Sequence, residues 1–148
     1  MSVLNILLVD DDRNLVITLS YGFRKALGKA VSVVFCSDGS KAQALLAVQA
    51  FDLVISDFNM PGMSGLELLK KIKQYHRETS LILITAYASE ALVEEVHQLG
   101  ITLIAKPFEL PLLVGLIQDL IQSKEKRSEM ENVPRIRHSD DNADSAVL

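Results

Sequence analysis

The 148 residues contain a single cysteine and no tryptophan. One cysteine, Cys36, excludes an internal disulfide and any zinc site built on cysteine pairs. It lies in an apolar run, where a free thiol usually serves as a small core residue. No apolar run approaches the ~18 residues that span a bilayer. No basic start followed by an apolar block marks an export signal, so a cytoplasmic location is expected, with no membrane partner. A large charge of one sign is also missing. Fifteen Lys and Arg against nineteen Asp and Glu leave a net charge of -4. Nothing in that balance draws the chain toward nucleic acid or an anionic membrane. There is no internal repeat. The composition is 49% hydrophobic and 23% charged, ordinary for one globular domain with a core of normal size.

Short apolar runs at about 4–9, 31–36, 52–56, 81–85 and 102–105 are rich in Val, Ile and Leu. Such runs are expected of strands buried on both faces. Stretches with helical spacing separate them, marked by Leu15, Leu19 and Phe23, by Ala42, Leu45 and Leu46, by Leu66, Leu69 and Ile72, and by Leu92, Val96 and Leu99. A fifth helix is expected from about Glu109 to Gln122. Five alternations of strand and helix predict an α/β fold, a doubly wound parallel sheet with helices on both faces. Asp12 is placed to cap the first helix, Ser37 to Ser40 precedes the second, and Gly100 ends the fourth. From about Ser123 the chain turns polar, with an acidic end at Asp140, Asp141 and Asp144. A domain over 3–122 is expected, then a tail over 123–148 that is frayed helix followed by disorder. In the tail, Lys124, Lys126 and Arg127 alternate with Glu125 and Glu129. That is a solvated helical face, and no contact with nucleic acid is expected.

Four apolar runs end on chemistry. The first runs into Asp10, Asp11 and Asp12, the third into Asp57, the fourth into Thr85, and the fifth into Lys106 followed by Pro107. In a doubly wound sheet of order 2-1-3-4-5, ligands bind beyond the carboxyl ends of the strands where the order reverses. Carboxylates gathered there need a compensating charge. A hard cation with oxygen ligands supplies it, and Mg²⁺ also accepts phosphate oxygens. Lys106 adds a fixed positive charge and Thr85 a hydroxyl. Each residue has an ordinary explanation alone, as a cap, an Asx turn, a strand end or a surface charge. Their joint placement at strand ends does not.

Val9-Asp10-Asp11, the stretch Ser56 to Gly65, Thr85-Ala86-Tyr87 and Lys106-Pro107-Phe108 resemble, in order and spacing, the receiver domain of two-component response regulators. The resemblance covers about residues 3–122. It implies a flavodoxin-like fold with five strands in the order 2-1-3-4-5 and five helices. It implies Asp57 as phosphoacceptor, with Thr85 and Lys106 contacting the phosphoryl group. Mg²⁺ would be held by Asp10, Asp11, Asp57 and the backbone carbonyl of Asn59, and the Lys106-Pro107 peptide would be cis. The implied partners are a sensor histidine kinase or phosphotransfer protein and a downstream protein target. The implied role is a signalling switch that promotes its own phosphorylation and dephosphorylation, not an enzyme with a separate substrate. Two features depart from the family. Leu103 stands where an aromatic residue is usual, and the segment from Gly100 to Lys106 is about one residue short.

The apolar residues of the fifth helix span an arc of roughly 200°, wider than the ~100° stripe a surface helix needs. Leu113, Ile117 and Leu120 are expected in the core, with Leu112 and Leu116 partly exposed. Exposed apolar surface of that sort marks a partner or dimer contact, and the resemblance implies that a homodimer would form through the fourth helix, fifth strand and fifth helix. Two other readings compete. One is a small haloacid-dehalogenase-like phosphatase using Asp10 as nucleophile, which gives Asp57 no role. The other is a receiver-like scaffold that is never phosphorylated, which leaves the acid, hydroxyl and lysine set unexplained.

Overall fold

The computed structural model describes residues 2–131. Five strands alternate with five helices: β1 (Leu4–Val9), α1 (Arg13–Leu27), β2 (Val31–Cys36), α2 (Gly39–Val48), β3 (Leu53–Asp57), α3 (Gly65–Tyr75), β4 (Ser80–Thr85), α4 (Glu90–Gln98), β5 (Thr102–Ala105) and α5 (Leu110–Glu131). The strands are all parallel, in the order 2-1-3-4-5, so the order reverses at β1. The fold class and strand order are those read from the sequence.

Alternation along each strand divides the core in two. Ile6 and Leu8 of β1, Ile55 of β3 and Ile84 of β4 pack against Val16, Leu19 and Phe23 of α1 and Leu113 and Ile117 of α5. Leu7, Val9, Val54 and Leu83 point the other way, onto Ala42 and Leu46 of α2, Leu68, Leu69 and Ile72 of α3, and Val96 of α4. The central strand β3 is buried throughout. The edge strands are not, which corrects the expectation of burial on both faces for every run. Ser32 and Phe35 of β2 are exposed, as are Thr102 and Ala105 of β5. A strand with a neighbour on one side only cannot be covered like a central one.

Helix starts follow from local chemistry. Asp12 accepts from the N–H groups of Asn14 and Leu15, Asp38 from Lys41, Ser64 from Glu67, and Ser89 from Leu92. Each satisfies a backbone donor the helix itself leaves free. Gly100 takes φ 71 immediately after α4, a conformation that favours glycine. Helix α5 does not stop near Gln122 but continues to Glu131. Lys124, beyond the last apolar turn, donates to the Val3 carbonyl at 2.7 Å and to Asp52 at 2.9 Å. Leu113 and Ile117 are buried as expected, Leu120 and Leu116 are half-buried, and Leu112 is 51% exposed. The disorder expected of the far tail falls on 132–148, outside the described residues. Among the described residues, no helix is long and apolar enough to cross a membrane.

Candidate phosphoryl and metal site

Strand register decides which side chains meet. Val9 pairs with Ser56, so Asp10 comes level with Asp57. Asp57 pairs with Ile84, and Thr85 with Ala105. The carboxyl ends of β1, β3, β4 and β5 therefore share one rim, at the reversal of strand order. Backbone hydrogen bonds join the strand ends. Phe58 N–H donates to Ile84 at 2.8 Å, and Lys106 N–H to Thr85 at 2.7 Å.

The carboxylates of Asp10, Asp11 and Asp57 offer oxygens that all lie within 4.8 Å of one another. Asp10 and Asp57 are buried, whereas Asp11 is exposed. Lys106 Nζ reaches Asp57 Oδ1 at 2.7 Å from the far side of β4. The other Asp57 oxygen accepts from Asn59 N–H at 3.1 Å. Asp10 Oδ1 accepts from Asp12 N–H at 2.8 Å. Asp12 spends its own carboxylate on the α1 cap and stays outside the cluster. Thr85 is buried, and its hydroxyl donates to the Tyr87 carbonyl at 3.2 Å while accepting from Tyr87 N–H. Its hydroxyl is thus committed to the β4–α4 loop. The Lys106-Pro107 peptide is cis. Leu103 is half-buried and packs with the core layer that contains Val96.

Charge is poorly balanced here. Burial first, then the neighbouring Asp57 and Asp11 charges, push the Asp10 carboxyl up to about 6, against the pull of Asp12 N–H and Lys106. Burial alone would lower the Lys106 ammonium, but its hydrogen bond to Asp57 and the charges of Asp57, Asp10 and Asp12 prevail and raise it. Three carboxylates against one lysine, with oxygens this close, form a donor set that suits a hard divalent cation. Cys36 takes no part in this chemistry. Burial pushes its thiol up to about 11, so it remains protonated and inert.

Sequence reasoning gave no role to Ser56, which sits at the heart of the rim. Its hydroxyl, fully buried, donates to the Asp57 carbonyl at 3.0 Å. Nothing in the sequence separates such a serine from any other small core residue. The backbone donors on Asp10 and Asp57 escaped notice for a similar reason, since every residue except proline carries one.

Comparison with known proteins places this geometry. The family model described as response regulator receiver domain matches residues 6–118. The DNA-binding transcriptional regulator NtrC of Salmonella typhimurium is 32% identical over 126 residues, covering 84% of this chain and 26% of that protein. The chain thus spans about a quarter of the length of that relative. Sporulation initiation phosphotransferase F of Bacillus subtilis is 33% identical over 106 residues, covering 71% of this chain and 83% of that protein. A CheY-like response regulator receiver domain from Methanospirillum hungatei, known as a crystal structure, superposes with a TM-score of 0.76 at 25% identity, covering 85% of this chain and 99% of its own. With two buried aspartates beside a lysine at the rim, and a family match running from β1 into α5, the chain belongs to the response regulator receiver domains of two-component systems.

Proposed function

We propose that this receiver domain accepts a phosphoryl group on Asp57 from the phosphohistidine of a sensor histidine kinase or a phosphotransfer protein. One observation carries the reading: Asp57 is gathered with Asp10 and Asp11 within 4.8 Å and held by Lys106 at 2.7 Å. In the transfer, a carboxylate oxygen of Asp57 bonds to phosphorus, and the phosphorus–nitrogen bond to the donor histidine breaks. Such a reaction needs in-line placement and charge neutralisation more than covalent help from the host. Lys106 orients the Asp57 carboxylate before transfer and then neutralises a phosphoryl oxygen. Thr85 gives up its bond to the Tyr87 carbonyl and donates to another. Asp10, Asp11, Asp57 and the Asn59 carbonyl are the residues that would hold Mg²⁺. When bound, Mg²⁺ offsets the carboxylate charge and binds phosphoryl oxygens.

The output is a population shift between two packings. Releasing Tyr87 loosens the loop before Ser89, the cap of α4. Helix α4 is the element that follows most readily, because Val96 is its one buried residue. The signal passes to a protein target through α4, β5 and α5, where Leu112 leaves apolar surface exposed. The same face would serve a homodimer. The domain would extend over 3–122 in a cytoplasmic protein, promoting its own phosphorylation and dephosphorylation without a separate substrate.

Acetyl phosphate with Mg²⁺, followed by mapping of the modified residue by mass spectrometry, tests this. A label on Asp57 that is lost in Asp57→Asn is the expected result. A label on Asp10 with continuous release of phosphate would instead mark a phosphatase, and no label at any Mg²⁺ concentration a scaffold.

A further inference from the structure

The peptide that follows Asp57 is gripped from several sides. Ser56 Oγ, with no exposure to solvent, donates to the Asp57 carbonyl at 3.0 Å. Gly65, the first residue of α3, lies against that same carbonyl. A Cβ on Gly65 would overlap the Asp57 carbonyl oxygen and come within 2.9 Å of Ser56 Oγ. Gly65 N–H also donates to the Phe58 carbonyl at 2.9 Å, and Phe58 N–H to Ile84 at 2.8 Å. Strand β3 is otherwise filled by Leu53, Val54 and Ile55 ahead of this point. A buried hydroxyl at position 56 needs a partner, and the partner it has is the backbone of Asp57.

We propose that Ser56 is a positioning residue for phosphoryl acceptance. Together with Gly65 it fixes the plane of the Asp57–Phe58 peptide. That plane sets the direction in which Asp57 projects toward Asp10, Asp11 and Lys106. Asp57 is the last residue of its strand, so regular pairing secures it less completely than the residues before it. Without the hydroxyl, the buried carbonyl loses a donor, and the peptide, held on its other side by Phe58 N–H on Ile84, tilts by a fraction of an ångström. A displacement of well under 1 Å is enough to slow an in-line transfer by about tenfold. The inference rests on the reading of Asp57 as phosphoacceptor.

The test uses the full chain, acetyl phosphate and saturating Mg²⁺. In that reaction an Asp57 oxygen bonds to phosphorus and acetate leaves with the electron pair of the broken bond. Rates of Asp57 labelling are compared for wild type, Ser56→Ala and Ser56→Cys, well below each protein's unfolding temperature. Ser56→Ala should label about tenfold more slowly than wild type. Ser56→Cys, close in size but a weaker donor, should fall between them. A purely structural serine would lower the unfolding temperature and leave the rate alone, so a wild-type rate in either folded variant overturns the proposal. If Ser56→Ala does not fold, the rate of Ser56→Cys decides. Wild type that fails to label on Asp57 refutes the phosphoacceptor reading itself, a separate outcome.

Discussion

Asp10 carries the least comfortable charge at the rim. It is buried, two carboxylates stand beside it, and its carboxyl is pushed up to about 6 from 3.8. Between these two values the unfolded chain has lost the proton while the folded protein keeps it. Stability therefore falls as pH rises through that window, and the full penalty is present above it. A shift of this size corresponds to about 3 kcal/mol. Asp10→Asn should then stabilise the protein at pH 7.5 without divalent cations, raising the unfolding temperature by several degrees. The gain should vanish near pH 3.5, where both forms are neutral. Adding Mg²⁺ should stabilise wild type more than the variant. Thermal unfolding followed by circular dichroism at the two pH values, with and without Mg²⁺, checks this. At this scale the sequence was informative about charge and silent about partners. Asp10, Asp57 and Lys106 stood out because a charged side chain closing an apolar run is rare. The Asp12 N–H that steadies Asp10, and the Ser56 hydroxyl on the Asp57 carbonyl, left no such trace.

Helices and strands were legible where burial imposes a period. The run Leu4 to Val9 reads as a strand because both of its faces are covered. Val31 to Cys36 looks the same in sequence, yet lies at the edge with Phe35 half exposed. Composition cannot tell an edge strand from a central one when both are rich in valine. The extent of α5 was legible only in part, for a different reason: a frayed extension was expected beyond Gln122, and the helix runs on to Glu131. Residues 123–131 have alternating charges but no apolar stripe, so the sequence announces a solvated helical face and not what fastens it. What ties them to the body is polar. Lys124 bridges the Val3 carbonyl and Asp52, and Asp52 also accepts from Asn5 N–H at 2.7 Å. Lys124→Met should release this clamp while keeping the aliphatic stem. Amide hydrogen exchange over 123–131 should speed up several-fold, with a loss of about 1 kcal/mol in global stability given the partial exposure of the pair. Asp57 labelling should not change, because the clamp lies at the amino ends of β1 and β3, opposite the rim that carries Asp57. Unaltered exchange in the variant would mean that helix propensity alone holds the extension.

The molecule as a whole places its chemistry by topology. Right-handed crossovers and the reversal of strand order at β1 bring residues 47 positions apart, Asp10 and Asp57, to one pocket. Lys106 arrives from β5, two strands away from β3, and its side chain crosses to Asp57. The resemblance in motifs made this convergence legible in advance. It could not disclose how the pocket's own side chains are balanced, with a single lysine against three carboxylates. That imbalance makes the metal dependence of phosphorylation the sharpest test. Asp57 labelling by acetyl phosphate should be measured across a Mg²⁺ titration, in wild type and in Asp11→Ala. Asp11 is exposed, and among the described residues its side chain has no hydrogen bond or ion pair to lose, so the variant should unfold cooperatively at or above the wild-type temperature. Wild type should label with a saturable dependence on Mg²⁺, and folded Asp11→Ala should scarcely label at all. Labelling that ignores Mg²⁺, or that proceeds equally in Asp11→Ala, would contradict the account.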